Sequence, residues 1–151
     1  MKIAIGSDHR GYDLRKIIAD FLLSEKYEIE EFGGVDQGIV DYPDVAADVV
    51  REVIQGTADR GILICGIGVG MCVVANKFPG IRAAACSNDV IAELSRRHND
   101  ANILCLSGDM LGDRSGVSLV KKWLETEFEG GRHQARINKI QEIEKRIHHL
   151  V

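Results

Sequence analysis

Short apolar runs ending in small residues alternate along this chain with stretches whose apolar residues recur every three or four positions. Lys2 to Gly6 is the first such run, followed by Leu14, Ile17, Ile18, Phe21 and Leu22, the spacing of a helix with one buried stripe. Glu28 to Phe32 alternates polar and apolar residues and predicts a strand near a sheet edge, ended by Gly33-Gly34. Beyond a loop through Asp41-Tyr42-Pro43, Val45, Val49 and Val53 mark a second helix. Gly61 to Cys65 predicts a central strand, and Gly70 to Lys77 a third helix stopped by Pro79-Gly80. Ile81 to Cys86 and Asn102 to Leu106 predict two more strands with a helix at Val90–His98 between them, and Gly116 to Phe128 predicts a fifth helix.

Strands separated by helix-length segments build βαβ units, which need a parallel sheet covered on both faces. The expectation is an α/β chain with five strands and no domain boundary over residues 1–151. Residues 133–150 add a helical segment with Ile137, Ile140, Ile143 and Ile147 on one side. The sheet already has helices enough, so this stripe is expected to pack on a second copy of the chain; packing on its own domain is the alternative. His148-His149 has no metal-ligand spacing with its neighbours and reads as tail.

Charge and cysteine usage narrow the function classes. Lys+Arg 19 against Asp+Glu 23 gives a net charge of −4, against a nucleic-acid-wrapping role but with room for one basic cluster aimed at a small anion. No apolar stretch approaches the roughly 18 residues that span a membrane. Cys65, Cys72, Cys86 and Cys105 lie in or beside apolar runs, none forms a CxxC pair, and no signal segment precedes them. Reduced thiols in a cytoplasmic protein are expected, with no zinc site.

In an open parallel sheet, ligands bind beyond the carboxyl ends of the strands. That rule selects Ser7-Asp8-His9, Cys65-Gly66-Ile67-Gly68-Val69-Gly70, Ser87-Asn88-Asp89 and Ser107-Gly108-Asp109. The glycine loop joins a strand to a helix N-terminus, where backbone amides can face an anion. As a dinucleotide loop it fits poorly, since Met71 takes the third glycine position, although Asp89 lies at about the distance of a ribose-binding acid. It is not a Walker loop, for no Gly-Lys-Ser/Thr follows. An oxyanion or phosphate cradle and a plain tight turn both stand. Cys65 faces the helix N-terminus, as a thiolate base or nucleophile or as core filler. His98 follows Ile91 by seven and Leu94 by four and shares their face, expected to point inward at the helix C-terminus. Asp8 and His9 can hold a hydroxyl or cap a helix. Arg132 and Arg136, four apart, can grip a phosphate or serve as surface charge.

Gly6-Ser-Asp-His9, Asp41-Tyr-Pro43, Ile64-Cys-Gly-Ile-Gly-Val-Gly70, Ala75-Asn-Lys77, Gly80-Ile-Arg82, Arg97-His-Asn-Asp100 and Glu129-Gly-Gly-Arg-His133 are spread in order over nearly the whole chain. Together they resemble the type B ribose-5-phosphate isomerase family, which also contains the galactose-6-phosphate isomerase subunits. The resemblance implies a Rossmann-like three-layer α/β/α sandwich and a homodimer with active sites at the subunit interface, needing no metal and no cofactor. Pairing of dimers into a tetramer is left open. By analogy Cys65 is the base moving a proton between C1 and C2 of a phosphorylated sugar, and His98 the acid that opens the furanose ring. Asp8 and His9 bind the sugar end with Tyr42 nearby, and the amides of Gly66, Ile67, Gly68, Val69 and Gly70 hold the enediolate oxygen. Asn99, Arg132 and Arg136 complete the substrate contacts.

The expected activity is an aldose–ketose isomerisation, with ribose 5-phosphate and ribulose 5-phosphate as the pair. Two positions depart from the family. Ile67 replaces the usual threonine of Cys-Gly-Thr-Gly, and Asp109 stands where many members carry a substrate-contacting arginine. They keep two alternatives in view: an isomerase of a tetrose or hexose phosphate, and a sugar-phosphate-binding domain without turnover.

Overall fold

The computed structural model describes residues 1–34 and 38–147. Its strands are β1 (Lys2–Ser7), β2 (Glu28–Gly33), β3 (Arg60–Cys65), β4 (Ala83–Ala85) and β5 (Ile103–Ser107). Between and after them run α1 (Tyr12–Ser24), α2 (Tyr42–Gln55), α3 (Val69–Ala75), α4 (Asp89–Asn99), α5 (Asp113–Glu125) and α6 (Arg132–Ile147). All strand pairs are parallel and the sheet order is β2-β1-β3-β5-β4. The expected Rossmann-like α/β/α sandwich is the observed one.

Two apolar layers sandwich the sheet. Ile3, Ile5, Ile62, Ile64, Leu104 and Leu106 pack against Leu14, Ile18 and Leu22 of α1, Ala92 of α4 and Leu119, Val120 and Trp123 of α5. On the other face Ala4, Leu63, Cys65, Ile103 and Cys105 meet Val45, Val49 and Val50 of α2 and Met71 and Ala75 of α3. Strand side chains alternate between faces, so a strand buried on both sides reads as an unbroken apolar run. β2, with Glu28, Glu30 and Glu31, lies at one edge, as its alternating pattern predicts.

Several expectations shift. Tyr42 and Pro43 open α2 rather than lying in a loop, because proline's fixed φ suits a first helical turn. β4 is shorter than the predicted Ile81–Cys86 run. On α4 the inward residues are Ala92, Ser95 and Arg96, while Ile91 and Leu94 are exposed and His98 is only half-buried. Small residues let α4 pack closely, and the Arg96 guanidinium is satisfied inside by Asp100 at 2.8 Å and the Ala101 carbonyl at 2.6 Å. The α6 stripe divides: Ile137 is buried on its own chain, whereas Ile140, Ile143 and Ile147 are exposed. Residues 148–150 of the predicted helix, with His148-His149, lie outside the described residues.

Candidate active site

The chain leaves β1 for α1 on one face of the sheet and β3 for α3 on the other. Loops that diverge from neighbouring strands open a crevice at their carboxyl ends. Asp8 lines it from β1; its amide donates to the Ile64 carbonyl at 3.2 Å. Its carboxylate accepts the amides of Arg10 at 2.9 Å and Gly11 at 3.1 Å, which folds the loop into a tight turn. Asp8 is thereby held buried while His9 is exposed.

Cys65 ends β3 beside it, buried on the α2/α3 face. Gly68 turns the strand into α3 with φ 79°, and a Cβ there would stand 3.0 Å from the Leu106 backbone. A non-glycine residue is thus disfavoured twice, by dihedral and by space. The loop is tied to β5, where Gly108 and Asp109 donate their amides to the Cys65 and Gly66 carbonyls at 2.8 and 3.1 Å. The Ser107 hydroxyl donates to Gly66 O at 2.7 Å. Tyr42 covers the far end of the loop, for a Cβ on Gly70 would meet its ring at 2.9 Å. Ile67 points outward, 60% exposed, and with Val69, Cys86, Ser107, Met110 and Leu111 lines a largely apolar cavity of about 340 Å³.

Asp8, His9, Tyr42, Cys65 and Gly66 to Gly70 therefore meet at one end of the sheet. Their expected companions do not join them within one chain. α4 runs back against the strands, so His98 and Asn99 at its C-terminus lie beside the strands' amino ends. Arg82, just before β4, donates to the Asn99 carbonyl at 3.0 Å, and Gly61 at the start of β3 to the Asn102 carbonyl at 3.0 Å. α6 starts at the same end, and there Arg132 and Arg136 share an exposed face.

This second cluster contains two residues whose part in it the sequence reading did not foresee. His133 is buried with its ring stacked on His98, and Glu129 lies 3.8 Å from His98 Nε2 and 3.2 Å from Arg97. The motif Glu129-Gly-Gly-Arg-His133 was the available signal. Burial, His98 and Arg132 all hold the His133 imidazole below its ordinary pKa. One ligand atom each from His98, Glu129 and His133 lies within 4.8 Å of the others. The rings are parallel within 7°, however, so their in-plane lone pairs cannot converge on one ion.

The other thiols divide as well. Cys86 and Cys105 are buried core residues, and burial pushes Cys86 up to about 11 and Cys105 well above its ordinary value. Cys72, although it lies beside an apolar run, is half-buried, and a hydrogen bond from Cys105, opposed by burial, brings it down to about 7. Only the packing of α3 on β5 creates that pair. Arg10 also escaped notice, although it adjoins Asp8-His9: its Nε donates to Asp109 at 3.3 Å.

Known proteins share this fold. A sequence model of the ribose/galactose isomerase family matches residues 3–140. Ribose-5-phosphate isomerase B of Escherichia coli strain K12 is 43% identical over 145 residues, covering 96% of this chain and 97% of that protein. The structure of Clostridium thermocellum ribose-5-phosphate isomerase B superposes with a TM-score of 0.95 at 52% identity, covering 97% of this chain and 99% of that one. The Mycoplasma genitalium ribose-5-phosphate isomerase B, solved with bound ribulose-5-phosphate, has a TM-score of 0.88 at 41% identity and covers 95% and 96%. Matched along nearly all its length, the chain belongs to the ribose/galactose isomerase family.

Proposed function

We propose that this protein is an aldose–ketose sugar-phosphate isomerase that interconverts ribose 5-phosphate and ribulose 5-phosphate. The observation that carries the reading is the convergence of Cys65, Asp8 and the glycine loop on one crevice of a chain in this family. Isomerisation needs a base beside the acidic carbon and donors preorganised for the developing oxyanion. Cys65 takes the proton from C2 of the open-chain aldose and returns it at C1, and the amides of Gly66 to Gly70 hold the enediolate oxygen. Asp8 and His9 hold the sugar end beside Tyr42.

The remaining groups come from a second copy. His98, as ring-opening acid, and Asn99, Arg132 and Arg136, as substrate and phosphate contacts, lie at the opposite end of the sheet from Cys65. A homodimer that brings one end of each chain to the other completes two sites at once. The exposed Ile91, Leu94, Ile140 and Ile143 support such an interface. Four unpaired thiols support a reducing, cytoplasmic setting.

Ile67 and Asp109 favour a second reading, in which the preferred sugar phosphate is a tetrose or hexose phosphate. The test is kcat/KM over four-, five- and six-carbon sugar phosphates. Highest turnover of ribose 5-phosphate supports the first reading, a clear preference for another length the second, and binding without any turnover overturns both.

A further inference from the structure

Asp109 places a carboxylate at the mouth of a crevice that is read as taking an anion. Its surroundings show what it does there. Asp109 Oδ1 accepts from Arg10 Nε at 3.3 Å, and Oδ2 pairs with Arg10 Nη2. The pair spans two loops, from β1 and from β5, that touch closely: a Cβ on Gly108 would stand 2.5 Å from the Arg10 carbonyl. It also lies directly over the glycine loop, since a Cβ on Gly66 would be 3.1 Å from Asp109 Oδ2 and 3.2 Å from Arg10 Nε. Arg10 thus stands next to the residue that follows Cys65, and two positions from Asp8.

We infer that Arg10, aimed by Asp109 across the Gly66 loop, is a further substrate-binding residue that contacts the phosphate group of the sugar phosphate. A guanidinium has five N–H donors in a planar fork. Asp109 engages the Nε/Nη2 edge, and among the described residues Nη1 has no partner. The Arg10 side chain is 60% exposed beside the Gly66 loop, which leaves its guanidinium accessible to a ligand. An exposed ion pair of this kind is weak, and a phosphate dianion competes well for the guanidinium. The phosphate is the charged group of a sugar phosphate substrate, and Arg10 joins the Arg132 and Arg136 read above as its contacts from a second copy, whereas the enediolate has backbone donors in the loop. Asp109 is accordingly a positioning residue, and Arg10 supplies positive charge where the aspartate alone would repel the substrate.

The inference rests on the sugar-phosphate isomerase reading and is tested apart from it. In Arg10→Ala, KM for the best sugar phosphate rises roughly tenfold while kcat stays within about twofold, the signature of lost uniform binding to a charged group. Arg10→Lys keeps part of the affinity. Arg10→Ala/Asp109→Arg, which moves the cation to the neighbouring loop, restores KM. Thermal unfolding of each variant separates loss of a latch between loops from loss of a contact. An unchanged KM in folded Arg10→Ala overturns the inference, as does a fall in kcat at constant KM, which would place Arg10 on the developing enediolate. If the wild-type protein turns over no sugar phosphate, the isomerase reading has failed. Titration of inorganic phosphate into wild type and Arg10→Ala then decides on Arg10, and equal affinities overturn the assignment.

Discussion

The imidazoles of His98 and His133 lie face to face, with centroids 4.2 Å apart and planes within 7°. Burial above all, and then the charges of the neighbouring His98 and Arg132, raise the cost of charging His133. The folded chain therefore holds His133 neutral to lower pH than the unfolded chain, which takes up its proton near 6.5. For a depressed histidine the stabilisation is complete above pH 6.5 and is lost as pH falls below it. Thermal midpoints measured down through this window should drop more steeply for wild type than for His133→Gln.

Because Cys65 and His98 sit at opposite ends of one sheet, each site should draw on two chains. Cys65→Ala and His98→Ala should each be inactive and folded. Co-expressed, half of the random dimers carry one intact site of two, so the mixture should recover roughly a quarter of wild-type activity. Assay of the separated heterodimer checks this, and its inactivity would place both residues in a single-chain site.

Gly68 is held at φ 79° with the Leu106 backbone 3.0 Å from where a Cβ would stand. Gly68→Ala should cost about 1–3 kcal/mol of stability. Activity should fall further than stability does, since the same strain shifts the Gly66–Gly70 amides proposed to hold the enediolate oxygen. Urea unfolding and kcat on the same preparation separate the two effects.

Cys72, at about 7, should alkylate before Cys86 and Cys105. It also borders an open cavity of about 360 Å³ with Val73, Asn76 and Lys77. Its iodoacetamide rate should rise with pH through a midpoint near 7, with Cys86 and Cys105 lagging far behind. Asn76 Nδ2 donates to the Cys72 sulfur at 3.5 Å, so Asn76→Ala should move the midpoint upward. Peptide mapping of the labelled protein against pH measures each rate.

Elements and their faces were legible where one rule governs. The runs Lys2–Gly6 and Gly61–Cys65 are apolar on both sides because helices cover both faces, and they became central strands. α4 shows the limit. Periodicity groups Ile91, Leu94 and His98 on one face, but it does not say whether that face meets the chain's own sheet or another molecule. Buried Arg96, capped by Asp100 and Ala101 and lying over the Trp123 ring at 5.8 Å, decided it, and no spacing rule anticipates a buried arginine. Likewise the Arg10–Asp109 pair joins residues 99 positions apart, and only the contact between two loops reveals it.

By itself the sequence determined the class of fold, the strand-end loops where chemistry can sit, and the residue types able to perform it. Those properties depend on local spacing: period two or near four, and glycines at a strand-to-helix turn. Only the tertiary structure decided the grouping. A helix that returns antiparallel to its strands carries its C-terminal residues to the far end of the sheet. So Cys65 and His98, both candidates for one site, are parted within a chain, and Asp109 gains a cation as its immediate neighbour.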